Sequence, residues 1–110
     1  MAFKRTQDPT FTTMVTVNIA NGKGGFDKNT FIGRFKRLSA DELKALRESE
    51  LTNEEVVRRT LVNWDLCDAE TKEAVPFSEF ELEALLQITP TPYATAQAFW
   101  EGSHGARSKN

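Results

Sequence analysis

Between residues 39 and 81 a Ser or Thr is followed three positions later by Glu on three occasions: Ser39-x-x-Glu42, Thr52-x-x-Glu55 and Ser78-x-x-Glu81. A hydroxyl at the start of a helix accepts a hydrogen bond from the third helical N–H, and the Glu at that position can answer by accepting from the cap's own N–H. Each motif is also preceded by an apolar residue that meets another five positions on, in the pairs Leu38/Leu43, Leu51/Val56 and Phe77/Leu82. That is the hydrophobic staple, which fixes the angle at which the chain enters the helix. The spacing therefore predicts three helices. The first buries Leu43 and Leu46, the second Val57, Leu61 and Trp64, and the third Leu82, Leu85 and Leu86. A fourth is predicted from Thr91-Pro92, with Pro in the first turn, through Phe99 and Trp100 to Gly102.

The segment ahead of these helices follows a different period. From Phe11 to Ala20, Val15, Val17 and Ile19 alternate with Met14, Thr16 and Asn18, as in a strand with one face buried. Asn21-Gly-Lys-Gly-Gly25 supplies residues that tolerate the backbone of a tight reversal. Beyond it Phe31, Gly33 and Phe35 share one face, and Arg34 and Lys36 the other. The expected fold is α+β: an N-terminal antiparallel β-hairpin packed against four short α-helices, forming one domain over residues 1–110. The polar lead-in 1–10 and the tail 103–110 are expected to be flexible. Between the second and third helices, Leu66-Cys67 and Ala74-Val75 flank the polar run Asp68 to Glu73, which predicts a small ribbon or an extended loop.

At 110 residues with 39% hydrophobic content, eight Phe and two Trp, the chain can close one core. Its net charge of −2 disfavours nucleic acid as main partner, because phosphate binding needs a concentrated positive field. The charge is unevenly placed. Residues 1–38 carry seven Lys/Arg against two Asp/Glu, and residues 39–110 seven against fourteen, so copies could attract one another through opposed halves. The lone Cys67 excludes an internal disulfide and suits a reducing compartment, and no apolar run is long enough for a membrane span.

No catalytic or metal constellation is expected. The Asn21–Gly25 loop lies between two strands, not between a strand and a helix, so it reads as a turn and not a phosphate cradle. Asp65, Asp68, Glu70 and Glu73 lack the central Gly of a calcium loop and read as a solvated loop. His104, the single histidine, falls in the tail with no group expected to orient it, and Cys67 reads as a small packing residue. Phe31 and Phe35 beside Arg34, Lys36 and Arg37 suggest a base-stacking platform, but the alternation puts rings and charges on opposite faces.

The order of these elements, and several phrases within them, resemble the phage tail assembly chaperones. The phrases are Pro9-Thr-Phe11, Phe31-Ile-Gly-Arg-Phe-Lys-Arg-Leu-Ser-Ala-Asp-Glu-Leu43, Leu61-Val62-x-Trp64, Val75-Pro-Phe-Ser78 and the close Gly105-Ala-Arg-Ser-Lys-Asn110. The run Asp68 to Glu73 departs from the pattern by lacking the Gly of a shorter turn. The resemblance implies a non-catalytic protein of the host cytoplasm, without cofactor. It would bind the tape-measure protein, keep it soluble and promote growth of the tail tube, with contact to the tail tube protein. Leu82, Leu85, Leu86, Phe99 and Trp100 are the candidates to bound a partner groove. Arg34, Lys36 and Arg37 are the candidates for self-association into a homo-oligomer. Two other readings remain: a small nucleic-acid-binding regulator using the basic strand face, and a virion structural subunit such as a head-tail connector.

Overall fold

The computed structural model describes residues 1–105, and the elements run β1 (Thr10–Ala20), β2 (Phe26–Lys36), α1 (Ala40–Glu48), α2 (Asn53–Thr60), β3 (Leu61–Asp65), α3 (Glu79–Leu86) and α4 (Pro90–Ser103). The three strands form one antiparallel sheet in the order β1-β2-β3, and the fold is α+β as expected. The part of the expected flexible tail from 106 to 110 lies outside the described residues.

The hairpin forms because both strands present apolar residues at the same parity. Its register pairs Phe11 with Phe35 and Val15 with Phe31, and closes at Ala20 with Phe26. Asn21 builds the turn: its backbone N donates to Gly25 O at 2.9 Å, and its Oδ1 accepts from the N–H groups of Lys23 and Gly25 at 2.9 and 3.1 Å. Gly24 sits at φ +82°, which explains a glycine there. β2 thus starts at Phe26, five residues before the first apolar inward position, because a turn closed by Asn21 forces pairing at once.

On the inner face Phe11, Phe35 and Phe99 of α4 form a three-ring cluster with centroid separations of 5.7, 6.2 and 5.8 Å. Two glycines make room for it. A Cβ on Gly33 would meet Phe35 Cε2 at 2.9 Å, and one on Gly102 would meet Phe11 Cε2 at 2.5 Å. α4 lies along β1, and α2 packs on α4. Val56 and Val57 of α2, Leu82 and Leu86 of α3, and Ala96 and Ala98 of α4 complete the core.

The second helix ends earlier than its sequence pattern suggests. Val57 is buried in α2 as expected, but Leu61 and Trp64 are not helical: the helix stops at Thr60 and Leu61–Asp65 forms β3. Leu61 reaches the core in either conformation, so helical spacing did not discriminate. The extended form also gives β2 a neighbour, pairing Ile32 with Asp65 and, across a bulge, Phe35 with Leu61. It carries Trp64 to Phe31 at 6.0 Å and Phe77 at 4.8 Å, both edge-on, with its Nε1 donating to Val75 O at 2.7 Å.

All three hydroxyl caps accept their N–H bond, but only Ser39/Glu42 closes reciprocally. Glu55 turns instead to Arg58 at 2.8 Å, and Arg58 also grips Glu83 of α3 at 2.7 and 2.9 Å. The fourth helix begins at Pro90 rather than Thr91-Pro92, with Thr89 already helical in φ and ψ and no side-chain cap. The earlier proline takes the permissive first-turn position.

The Asp65 to Pro76 segment is the predicted ribbon: Cys67 bridges Ala74, and Val75 N donates to Leu66 O at 2.8 Å. Its turn needs no glycine because Lys72 takes the left-handed conformation at φ +64° and Asp68 Oδ1 accepts from Glu70 N at 2.8 Å and Thr71 N at 3.1 Å. The N–H groups of Thr71 and Glu70 hold the Asp68 carboxyl below its ordinary range. Cys67 is exposed in this ribbon and is not the packing residue expected.

Gly33→Ala is expected to destabilise the fold by about 1–3 kcal/mol through overpacking against Phe35 and Leu61. Gly22→Ala, with nothing within 4 Å of its Cβ, should stay within about 0.5 kcal/mol of the parent in urea denaturation. Hydrogen bonds from Arg58 hold the Glu83 carboxyl below its usual range. A carboxyl depressed in the folded state stabilises above its unfolded pKa, and that contribution disappears as pH falls through the folded value. The melting temperature of the parent should therefore exceed that of Glu83→Gln at neutral pH, and the two should converge on acidification below the ordinary Glu range.

Candidate partner-binding clefts

The five residues expected to bound a groove separate into two groups. Leu82, Leu86 and Phe99 are 6%, 5% and 0% exposed and fill the core, so they present no surface to a partner. The helical stripe that marked them faces inward: α3 packs against α4, and Phe99 of α4 meets Phe11 and Phe35 of the sheet. Leu85 and Trp100 remain half-buried, and each stands in the wall of a different open cleft.

The Trp100 cleft, about 360 Å³, opens between α1, the start of α2 and the end of α4. Leu46, Leu51 and Val56 form its apolar lining, and Arg47, Asn53 and His104 provide polar edges. Its floor contains the Leu51/Val56 staple, so the motif that starts α2 also shapes the cleft. Arg47 and His104 are organised around the indole. The Arg47 guanidinium lies 5.2 Å from the Trp100 ring centroid, and His104 stacks on the same ring at 6.4 Å and 14°. Arg47 Nη2 lies 2.9 Å from His104 Nε2, within hydrogen-bonding distance. His104 is therefore held in place, contrary to the expectation of an unoriented tail residue, because α4 extends to Ser103 and delivers it to α1.

The Leu85 cleft, about 310 Å³, opens between the turn half of the hairpin, the ribbon and the α3–α4 corner. Val17, Ile19, Phe31, Leu66, Leu85 and Ile88 line it. Ile88, at 40% exposure, and Ile19 carried no helical or capping signal that would have marked them as surface residues.

The basic positions also divide. Arg34 and Lys36 point outward as predicted, opposite buried Phe31 and Phe35. Arg34 bonds Thr10 Oγ1 at 3.2 Å. Arg37 is held by its own chain: its backbone N and Nε donate to Pro9 O at 2.9 Å and Asp8 O at 2.8 Å, and its guanidinium covers Phe11 at 5.5 Å. It therefore serves the start of β1.

Among the described residues no group of three or more His, Cys, Asp or Glu is placed to hold a metal ion, and no helix is long and apolar enough to cross a membrane. Comparison with protein-family models, with curated proteins and with solved structures gives no match to this chain. Core and cleft residues should separate on truncation: Leu86→Ala is expected to cost about 2–5 kcal/mol of stability, while Leu85→Ala, half-exposed, should cost clearly less in the same denaturation experiment.

Proposed function

We propose that the chain is a phage tail assembly chaperone that acts by non-covalent capture. It covers apolar stripes of the tape-measure protein in the host cytoplasm until the growing tail tube buries them. The reading is supported by the sequence phrases from Pro9 to Ser78 and, above all, by one structural observation: a half-buried Trp100 flanked by Arg47 beside an open apolar cleft. Trp and Arg are the residues that most often concentrate binding energy at protein interfaces. A cleft walled by helices suits an amphipathic helix that inserts apolar side chains at i, i+3, i+4 and i+7. The tape-measure protein would offer such stripes repeatedly along its length, and transfer to the tail tube protein would compete for the same apolar face.

Co-expression tests this reading. The chain should keep the tape-measure protein of the same phage soluble and co-purify with it. Trp100→Ala and Arg47→Glu should each weaken that complex by on the order of tenfold or more while the variant itself still melts cooperatively. A tape-measure protein that stays insoluble beside abundant folded chain overturns the proposal. Salt-dependent retardation of DNA by the chain would instead favour a nucleic-acid-binding regulator working through Arg34 and Lys36. Stoichiometric presence in purified virions would favour a structural subunit.

A further inference from the structure

β2 is eleven residues long, but β3 pairs with it only from Ile32 to Phe35. Along Phe26 to Phe31 the side of β2 facing away from β1 has no neighbouring strand among the described residues, because the chain leaves the sheet after Asp65 and enters the ribbon. The Leu85 cleft lies directly against this open edge. Four consecutive β2 residues, Lys28 to Phe31, line it, as they do where an edge and not a face borders a cleft. An open strand edge beside an apolar cleft calls for an extended segment that pairs through its backbone and inserts alternate side chains.

The chain carries a segment of that kind. Residues 1–9 have no regular structure, all are exposed, and Phe3 is 86% exposed. Met1, Phe3 and Arg5 fall on one side of an extended arm and Lys4 on the other. The cleft volume of about 310 Å³ comfortably accepts the Phe3 ring, given that a cavity of about 150 Å³ holds benzene. Charge also matches. The arm carries Lys4 and Arg5 against Asp8, which is held back by Arg37, and the ribbon beside the cleft carries Asp68, Glu70 and Glu73 against Lys72, with Asp27 and Lys28 cancelling on the β2 side.

The arm cannot occupy the cleft of its own chain. It leaves the sheet at Thr10, which pairs with Lys36, whereas the cleft lies at the opposite end of the hairpin, where Ile19 pairs with Asp27. Arg37 holds the carbonyls of Asp8 and Pro9, so the free arm hinges at Asp8 and Phe3 lies five residues from it, about 17 Å fully extended, whereas the near wall of the cleft, Phe31, pairs with Val15, about 17 Å beyond Thr10 and further still from Asp8.

We propose that the N-terminal arm of one copy docks as an added strand on the open half of β2, Phe26–Phe31, of a second copy, with Phe3 in the cleft lined by Ile19, Phe31, Leu85 and Ile88. The two surfaces differ, so the contact is head-to-tail: each copy offers an arm and a cleft, and copies join into rings or open arrays. This linkage lies apart from the Trp100 cleft and does not depend on what that cleft binds.

Sedimentation velocity at low salt tests it. The parent chain should form a concentration-dependent series of oligomers that raised salt weakens. Phe3→Ser and Ile88→Asp should each shift association to at least about tenfold higher concentration, with unchanged melting because both side chains are exposed. Mixed, the two variants should form a one-to-one dimer that grows no further, since Phe3→Ser keeps the cleft and Ile88→Asp keeps the arm. The proposal is overturned if the parent is monomeric at concentrations on the order of 0.5 mM, if Phe3→Ser associates like the parent, or if the mixture stays monomeric. None of these outcomes bears on capture of the tape-measure protein, which the co-expression experiment reads separately.

Discussion

The cluster of Phe11, Phe35 and Phe99 is the contact on which the other placements depend. It joins β1, β2 and α4 at one point, and it closes only because Gly33 and Gly102 present no Cβ where the rings lie. Buried aromatic rings supply much of the apolar area that a domain of this size can remove from water. Once α4 is seated on β1, its outer side must accept α2, and Val56, Val57 and Thr60 fill that contact, with Thr60 Oγ1 satisfied by Val56 O at 2.8 Å. The last turn of α4 then has nowhere to go but past α1. There Trp100 and His104 meet Arg47, and the Trp100 cleft is a by-product of how the rings fix the helix.

The sheet follows a complementary logic. β1 and β2 are paired over their full length by a turn that Asn21 closes with three hydrogen bonds, but β3 is a five-residue strand at the end of a helix and satisfies only part of β2. An edge left open in this way must be shortened, charged, covered or used. Here it is bordered by apolar Ile19, Phe31, Leu85 and Ile88, the surface that the proposed docking of a second copy's arm would cover. The two clefts therefore have separate origins, one in helix packing and one in incomplete strand pairing, and they suit occupants of different shape: a helix in the first and an extended arm in the second.

Capping boxes and staples are contained within six consecutive residues, so the three hydroxyl-capped helix starts were legible from the sequence alone. So was the hairpin: alternation at Val15, Val17 and Ile19 and the turn at Asn21 to Gly25 are also local, and a period of two leaves one choice of inward face. The inward positions Leu43, Leu46, Val57, Leu82 and Leu86 were legible for the same reason.

What the sequence left open were competitions that only distant residues resolve. Leu61-Val-Asn-Trp-Asp65 fits a helix or a strand equally well by spacing, and pairing with β2 decided for the strand. Glu55 fits a capping box, but Arg58, which also reaches Glu83 from across the α2–α3 contact, drew its carboxylate away. Whether an apolar helical residue meets the core or a partner depends on which neighbour arrives on its other side, so one pattern contained both buried Phe99 and half-exposed Trp100. Local periodicity determined the elements and their apolar faces. Tertiary structure alone decided which apolar surface is left over, because that surface is what remains after every long-range contact has been made.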